Sequence, residues 1–380
     1  MENPFVYGEV VPSAAFADRV AELDRLVGDL AAGQKMFLIS PRRYGKSSLI
    51  RLALAAMARR GALTVNVTVS SFSSYVSFLE GFARALVSAE ASSEQARGWL
   101  REMIRSARAE VRYAPDDVPR GAAVSFPGVR SERDVSRLAQ EVLALPGRIA
   151  AARRRKVVVA LDEFQAIGSF NGGSVEHALR AAVQHQRDVG YVFAGSEPSL
   201  MERMLGPRRP FYKAGPVMRL GKIPPDEFSR FIEGRFTRSG IRVEVGLGPS
   251  IVELAGNLPY DVQRLAHETW DEVHGSGRRR ATLDDLHRAL SRLLAEQHMM
   301  FEGVWQRLTL PQRAALRAVV LEDGREPLSA DVRTRHRLGG PSTVQAALAA
   351  LVRDDIIARE EDRYAVVDSL LREWVARRTF

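Results

Sequence analysis

No cysteine occurs anywhere in the 380 residues, which excludes disulfides and thiolate metal sites and agrees with a reducing compartment. Low-complexity tracts are absent too, and no apolar run approaches the length of a membrane span. The opening MENPFVYGEV has no apolar targeting core, so the expectation is a cytoplasmic protein with no membrane partner. Acidic residues are the scarcer charge, 46 against 55 basic, giving a formal net charge of +9. At this length two or three domains with their own cores are expected.

What the chain does contain is organised around Lys35–Arg51, KMFLISPRRYGKSSLIR. Met36 to Ile39 read as a short buried strand, Ser40 to Gly45 as a tight loop, and Lys46 to Ile50 as the start of a helix. Strand, turn and helix N-terminus together aim backbone N–H groups and the positive end of a helix dipole at one point, as in a phosphate-binding loop. In the pattern G-x-x-x-x-G-K-[ST], Gly45, Lys46 and Ser47 match, and Ser40 stands where the first glycine belongs. Ser40, Pro41, Arg42, Arg43, Tyr44, Gly45, Lys46, Ser47 and Ser48 are therefore the candidate nucleotide-binding set. Lys46 is expected to reach the β- and γ-phosphates of ATP, and Ser47 to hold Mg²⁺. A chance Gly-Lys-Ser at a helix start is the competing account, so a second element is required.

Lys156–Gln165, KVVVALDEFQ, supplies it: an apolar strand with two carboxylates at its carboxyl end, where parallel sheets bind ligands. Asp162 is expected beside the metal and Glu163 facing the γ-phosphate, where it polarises a water. The alternative is a pair that only caps the next helix. The basic excess belongs to the same part of the chain: residues 1–220 hold 31 basic and 22 acidic side chains, residues 221–300 hold 11 and 12, and residues 308–380 hold 12 and 11. A nucleotide's phosphates account for some of that excess as well as DNA does.

Elsewhere the periodicities predict a strand at Leu63–Val69 and a helix at Tyr75–Ser88. A basic helix follows around Trp99–Arg112, with Arg101, Arg105, Arg108 and Arg112 on one face, then a turn at Ala114–Asp117 and a short strand near Ala122–Phe126. The four arginines read as a solvated face. A helix near Glu132–Ala152, interrupted at Pro146-Gly147, a helix at Val175–Arg187, and strands at Gly190–Ala194 and Val217–Leu220 complete the first part. Residues 221–300 are helical, with a helix from Thr282 to about Met300. From Leu308, helices at Pro311–Leu321, Ser329–Leu338 and Pro341–Arg353 and a hairpin at Ile356–Val367 spell a winged helix.

The motifs N-P-F-x-Y-G (Asn3–Gly8), F-x-x-R-x-x-E-L (Phe16–Leu23), P-R-R-Y-G-K-S-S-L (Pro41–Leu49), L-D-E-F-Q (Leu161–Gln165), A-G-S (Ala194–Ser196) and R-P-F-Y (Arg209–Tyr212) resemble those of the archaeal-type predicted ATPases, a branch of the AAA+ and STAND class. The resemblance implies a three-layer αβα P-loop core with a parallel sheet at 1–220, a helical lid at 221–300 and a winged helix at 301–380. It implies ATP and Mg²⁺ binding and ATP hydrolysis used as a molecular switch. Ser196 takes the place of sensor 1, the alternative being a helix N-cap; Arg208 or Arg209 would act as an arginine finger toward a neighbour in a homo-oligomer, with Lys213 beside them; Arg264 is the sensor 2 candidate. A DNA-bound ATPase using the winged helix and a non-catalytic nucleotide-gated scaffold are the competing functions, so a protein partner or DNA at the winged helix stays open.

Overall fold

Alternation along the first strand sorts half of the molecule into layers. The computed structural model describes residues 2–8, 19–90, 110–113, 122–126, 129, 131–170, 173–360 and 362–378. In it the chain divides into two units, Val10–Lys222 and Ile223–Phe380 with Met1–Glu9. The Val10–Lys222 unit runs α1 (Val20–Ala31), β1 (Lys35–Ile39), α2 (Lys46–Arg59), β2 (Leu63–Thr68), α3 (Tyr75–Glu90), β3 (Glu110–Tyr113), β4 (Ala122–Ser125), α4 (Glu132–Arg153), β5 (Val157–Asp162), α5 (Gly173–Val183), β6 (Val189–Gly195), α6 (Pro198–Met204) and β7 (Val217–Arg219). Successive side chains leave a strand on opposite faces. Met36 and Leu38 of β1 therefore enter the apolar cluster built with α1 and α2, while Phe37 and Ile39 enter the larger one built with α3, α4 and α5. The result is helix, sheet, helix.

Five parallel strands make the sheet, in the order β2-β5-β6-β1-β7. All side chains of β5 and β6 are buried, as expected of strands covered on both faces. The chain leaves β1 toward β2 and leaves β6, its neighbour, in the opposite direction toward β7. Such a switch point opens a crevice at the carboxyl ends of the two strands. Gly215 lets β7 approach β1: a Cβ there would lie 1.9 Å from the Lys35 carbonyl oxygen.

Several predicted boundaries change. The helix α4 runs through Pro146 without interruption; the proline is buried, and the Leu143 carbonyl accepts a hydrogen bond from Gln186 Nε2 at 2.8 Å. Gln186 also accepts from Tyr191 Oη at 2.7 Å, and α5 stops at Val183 rather than Arg187. Glu110–Tyr113 is not helical but a strand, paired antiparallel with Ala122–Ser125, so Arg112 is a strand residue. The turn at Ala114–Asp117, Phe16, and Arg101, Arg105 and Arg108 lie outside the described residues.

The second unit holds α7 (Pro225–Arg238), β8 (Arg242–Val243), α8 (Leu247–Leu254), α9 (Pro259–Gly275), β9 (Arg280–Ala281), α10 (Leu283–Glu296) and α11 (His298–Arg307). The expected single helix from Thr282 breaks at Gln297, whose ψ of 1° has left the helical region. Residues near the N-terminus pack here: Asn3 Nδ2 donates to the His267 carbonyl (3.1 Å), the Phe5 and Phe236 rings lie 4.8 Å apart, and Tyr7 Oη donates to Glu268 (3.1 Å). The winged helix comprises α12 (Leu310–Leu321), α13 (Ala330–Arg335), α14 (Pro341–Arg353), the hairpin β10 (Ile357–Glu360) and β11 (Arg363–Val366), and α15 (Ser369–Arg377). The last helix was not predicted. Its Asp368 cap, which accepts from the N–H groups of Leu370 and Leu371, was the available signal.

Asp285 ties the start of α10 together. Its buried carboxylate accepts from the Thr282 N–H and hydroxyl in a capping box and pairs with Arg278 and Arg288. Burial pushes its pKa up, but these partners outweigh that and hold it below the ordinary value. A depressed folded pKa stabilises above the unfolded pKa, and that stability is lost as pH falls through the folded one. Asp285→Asn should therefore lower the melting temperature at neutral pH, and the gap to wild type should narrow steadily on acidification in a calorimetric pH series.

Candidate active site

Register brings the candidate residues together. Ile39 at the end of β1 pairs with Gly195 at the end of β6, and β6 adjoins β5, which ends at Asp162. The Ser40 N–H donates to the Gly195 carbonyl (3.1 Å), extending the ladder by one step. Ser40 is fully buried and is not among the residues with positive φ. A side chain is therefore tolerated where the pattern has glycine. Gly45 is different: it sits at φ 87° as the N-cap of α2, a conformation that favours glycine.

Lys46 and Ser47, the first residues of α2, face the end of β5. Lys46 Nζ pairs with Asp162 Oδ1 and lies 3.1 Å from Glu163 Oε1, while Ser47 Oγ donates to Asp162 Oδ2 at 3.0 Å. Lys46 and Asp162 are buried. Glu163 has a left-handed backbone, φ 52° and ψ 43°, which is costly for a residue with a side chain. Its N–H donates to Asp162 Oδ1 (2.9 Å), holding the turn. Ser196 Oγ donates to Glu163 Oε2 at 2.5 Å, and Gln165 Nε2 donates to the same oxygen at 2.6 Å. Burial raises the Glu163 pKa, but the hydrogen bonds from Ser196 and Gln165 and the charge of Lys46 outweigh it and hold it below the ordinary value. The site thus fixes an ionised carboxylate in one orientation. Ser196 precedes α6, whose N-cap is Glu197, so the helix-cap alternative does not describe it.

Of the other loop residues, Pro41, Arg42 and Arg43 are exposed, Ser48 is half-buried and Tyr44 is buried. The two finger candidates differ. Arg209 Nη2 is 3.0 Å from Glu176 Oε1, a carboxylate only 1% exposed, whereas Arg208 is exposed with φ 68°. Lys213 is exposed at φ 51°. Arg264 belongs to the other unit, where its guanidinium lies 6.0 Å from the Tyr7 ring; with the Gln297 amide oxygen turned toward it, Nη1 donates to that oxygen at 2.6 Å. The role of Gln165 was missed, although it sits two residues after Glu163 in the quoted motif.

A family model described as a probable winged helix domain matches residues 299–377. Among solved structures, the chain is similar to a Walker-type ATPase of Pyrococcus abyssi at 17% identity, covering 97% of this chain and 99% of that one with a TM-score of 0.59. It is similar to the Aeropyrum pernix ORC2 protein, solved as ADPNP–ADP complexes (14%, 98% and 96%, 0.56), and to the ORC1 protein of the same organism in complex with DNA (14%, 99% and 98%, 0.51). No curated protein matches. At these identities the likeness establishes the fold alone, the αβα core with a parallel sheet, helical region and winged helix that this chain shares with those structures.

Pairing with a buried carboxylate makes Arg209 a structural tie. Arg209→Ala should cost about 1–3 kcal/mol by leaving Glu176 unsatisfied, and Arg208→Ala should be close to neutral; denaturant titrations of the two variants separate them.

Proposed function

We propose that this chain binds ATP with Mg²⁺ between the loop 40–48 and the carboxyl ends of β5 and β6, hydrolyses it, and uses the cycle as a molecular switch. The observation that carries this reading is the convergence of Lys46, Ser47, Asp162, Glu163 and Ser196 at the carboxyl ends of the adjacent strands β5, β6 and β1. Lys46 exchanges its carboxylate partners for the β- and γ-phosphates, and the loop N–H groups and the start of α2 face the same anion. Ser47 Oγ and Asp162 Oδ2 are adjacent hard oxygen donors, which fits Mg²⁺: it is held by one or two side chains plus phosphates, and among the described residues no cluster of three acidic or histidine side chains forms a cage. Bound there, the ion supplies charge neutralisation along the phosphates. Glu163, ionised and oriented by Ser196 and Gln165, takes the role of general base toward the attacking water. If a neighbouring copy completes the site, Arg208 is better presented than Arg209.

The winged helix is read as a protein-contact or lid-docking module rather than a DNA reader. Several of its cations meet carboxylates within the domain: Arg335 pairs with Glu322 and Asp331, Arg363 with Asp323 and Glu360, and Arg353 with Asp354. Apart from Arg353 at its end, the exposed positions of α14, among them Ser342, Thr343, Gln345, Ala346 and Ala349, are uncharged. Duplex affinity comes mainly from phosphate neutralisation, which this surface supplies sparingly. No helix among the described residues is long and apolar enough to cross a membrane.

Lys46→Ala should abolish turnover and weaken ATP binding, and Glu163→Gln should still bind ATP while turnover falls on the order of 10²-fold or more. Paired calorimetric and phosphate-release assays test both; wild-type hydrolysis in either variant removes that residue from its role. In a duplex-DNA titration of the full chain, Arg337→Glu should change affinity by less than about threefold, where loss of a base contact would cost about 1–3 kcal/mol.

A further inference from the structure

Outside the catalytic cluster, one buried cation has no place in the chemistry above. Arg19, just before α1, is 4% exposed. Its Nη2 donates to two backbone carbonyls far apart in sequence, Tyr44 in the phosphate loop (3.1 Å) and Gly221 (2.7 Å) after β7, and its Nη1 donates to Glu22 Oε1 (3.2 Å). Burial is costly for a guanidinium unless such partners hold it. One end of this bridge is rigid, because the Leu220 N–H donates to the Ile39 carbonyl (2.9 Å), so the chain entering Gly221 still follows the β1–β7 ladder. The other end is the peptide between Tyr44 and Gly45.

We propose that Arg19 is a positioning residue for the phosphate loop: it transfers the rigidity of the sheet to the Tyr44–Gly45 peptide and so orients the Gly45 N–H for phosphate. A trans peptide is planar, with C=O and N–H on opposite sides. Fixing the Tyr44 carbonyl toward Arg19 therefore fixes the Gly45 N–H away from it. Glycine itself adds no steric restraint to that peptide: it has no side chain, and nothing lies within 4 Å of the place a Cβ would occupy. The fork matters. Arginine gives both N–H groups of Nη2 to the two carbonyls and Nη1 to Glu22 from one rigid plane, and a lysine ammonium, a single point on a flexible stem, does not hold the three partners in that geometry. Glu22, less buried, steadies the guanidinium from outside.

This inference rests on the nucleotide-binding reading, and the test separates the two. ATP affinity and turnover are measured for wild type, Arg19→Ala, Arg19→Lys and Glu22→Gln, with peptide-level hydrogen exchange over residues 40–49 in the nucleotide-free proteins. Arg19→Ala should weaken ATP and ADP binding alike by about tenfold or more, leave turnover at saturating ATP within about threefold because Glu163 is untouched, and accelerate exchange in the 40–49 peptide. Arg19→Lys should fall between, and Glu22→Gln should weaken binding by about two- to threefold. Unaltered affinity and unaltered exchange in a folded Arg19→Ala protein overturn the proposal; should that variant fail to fold, wild-type affinity and exchange in both Arg19→Lys and Glu22→Gln overturn it equally. Wild-type protein that binds no ATP refutes the nucleotide reading instead, and the exchange data then decide whether Arg19 orders the loop.

Discussion

Parallel pairing of β1 with β6 is the constraint from which the site follows. Because Ile39 and Gly195 share a register position, the loop that begins at Ser40 and the turn that holds Ser196 leave the sheet side by side. Because β6 also pairs with β5, Asp162 and Glu163 leave it on the next strand. A shift of one residue in either ladder would turn these side chains to the opposite face and drive the alternating apolar residues of β1 into the wrong layer. The site and the two cores therefore stand or fall together. Phe37 and Phe193, stacked at 5.0 Å beneath the same strand ends, pin that register from the core side.

The local chemistry then works against backbone preference. Glu163 is held left-handed, and Lys46 is buried with two carboxylates. Each arrangement is unfavourable in isolation and is kept by specific partners: Asp162 for the Glu163 turn and for Lys46, Ser196 and Gln165 for the Glu163 carboxylate. Concentrated strain of this kind at strand ends is where binding and catalysis are usually found. It is also where local sequence rules give the weakest guidance.

That division explains what could be read in advance. The strands β1 and β5 and the helix α2 were legible because burial on both faces produces unbroken apolar runs and because Gly-Lys-Ser marks a helix start. The continuation of α4 through Pro146 and the end of α5 at Val183 were not, and neither were the bonds of Gln186 to the Leu143 carbonyl and the Tyr191 hydroxyl. Nor was the tie from Arg19 to Gly221, since no periodicity links residues so distant in sequence. The difference between Arg208 and Arg209 was equally hidden, because only the buried Glu176 distinguishes them.

Charge shows the same dependence on context. The basic excess in residues 1–220 is a property of the sequence, but its use is decided by which cations have partners. In the winged helix several arginines meet carboxylates of the same domain, so a helix-turn-helix shape does not by itself make a polyanion surface. At the loop 40–48 the balance differs: Lys46 is shared between two carboxylates, Asp162 and Glu163, which an anion arriving at that lysine would face. Under the proposed function, a cation beside Asp162 and Ser47 would offset the repulsion between these carboxylates and a triphosphate. On the proposed reading, a divalent ion brought in with the nucleotide would answer those two carboxylates, while the exposed Arg42 and Arg43 of the same loop add to the attraction for phosphate.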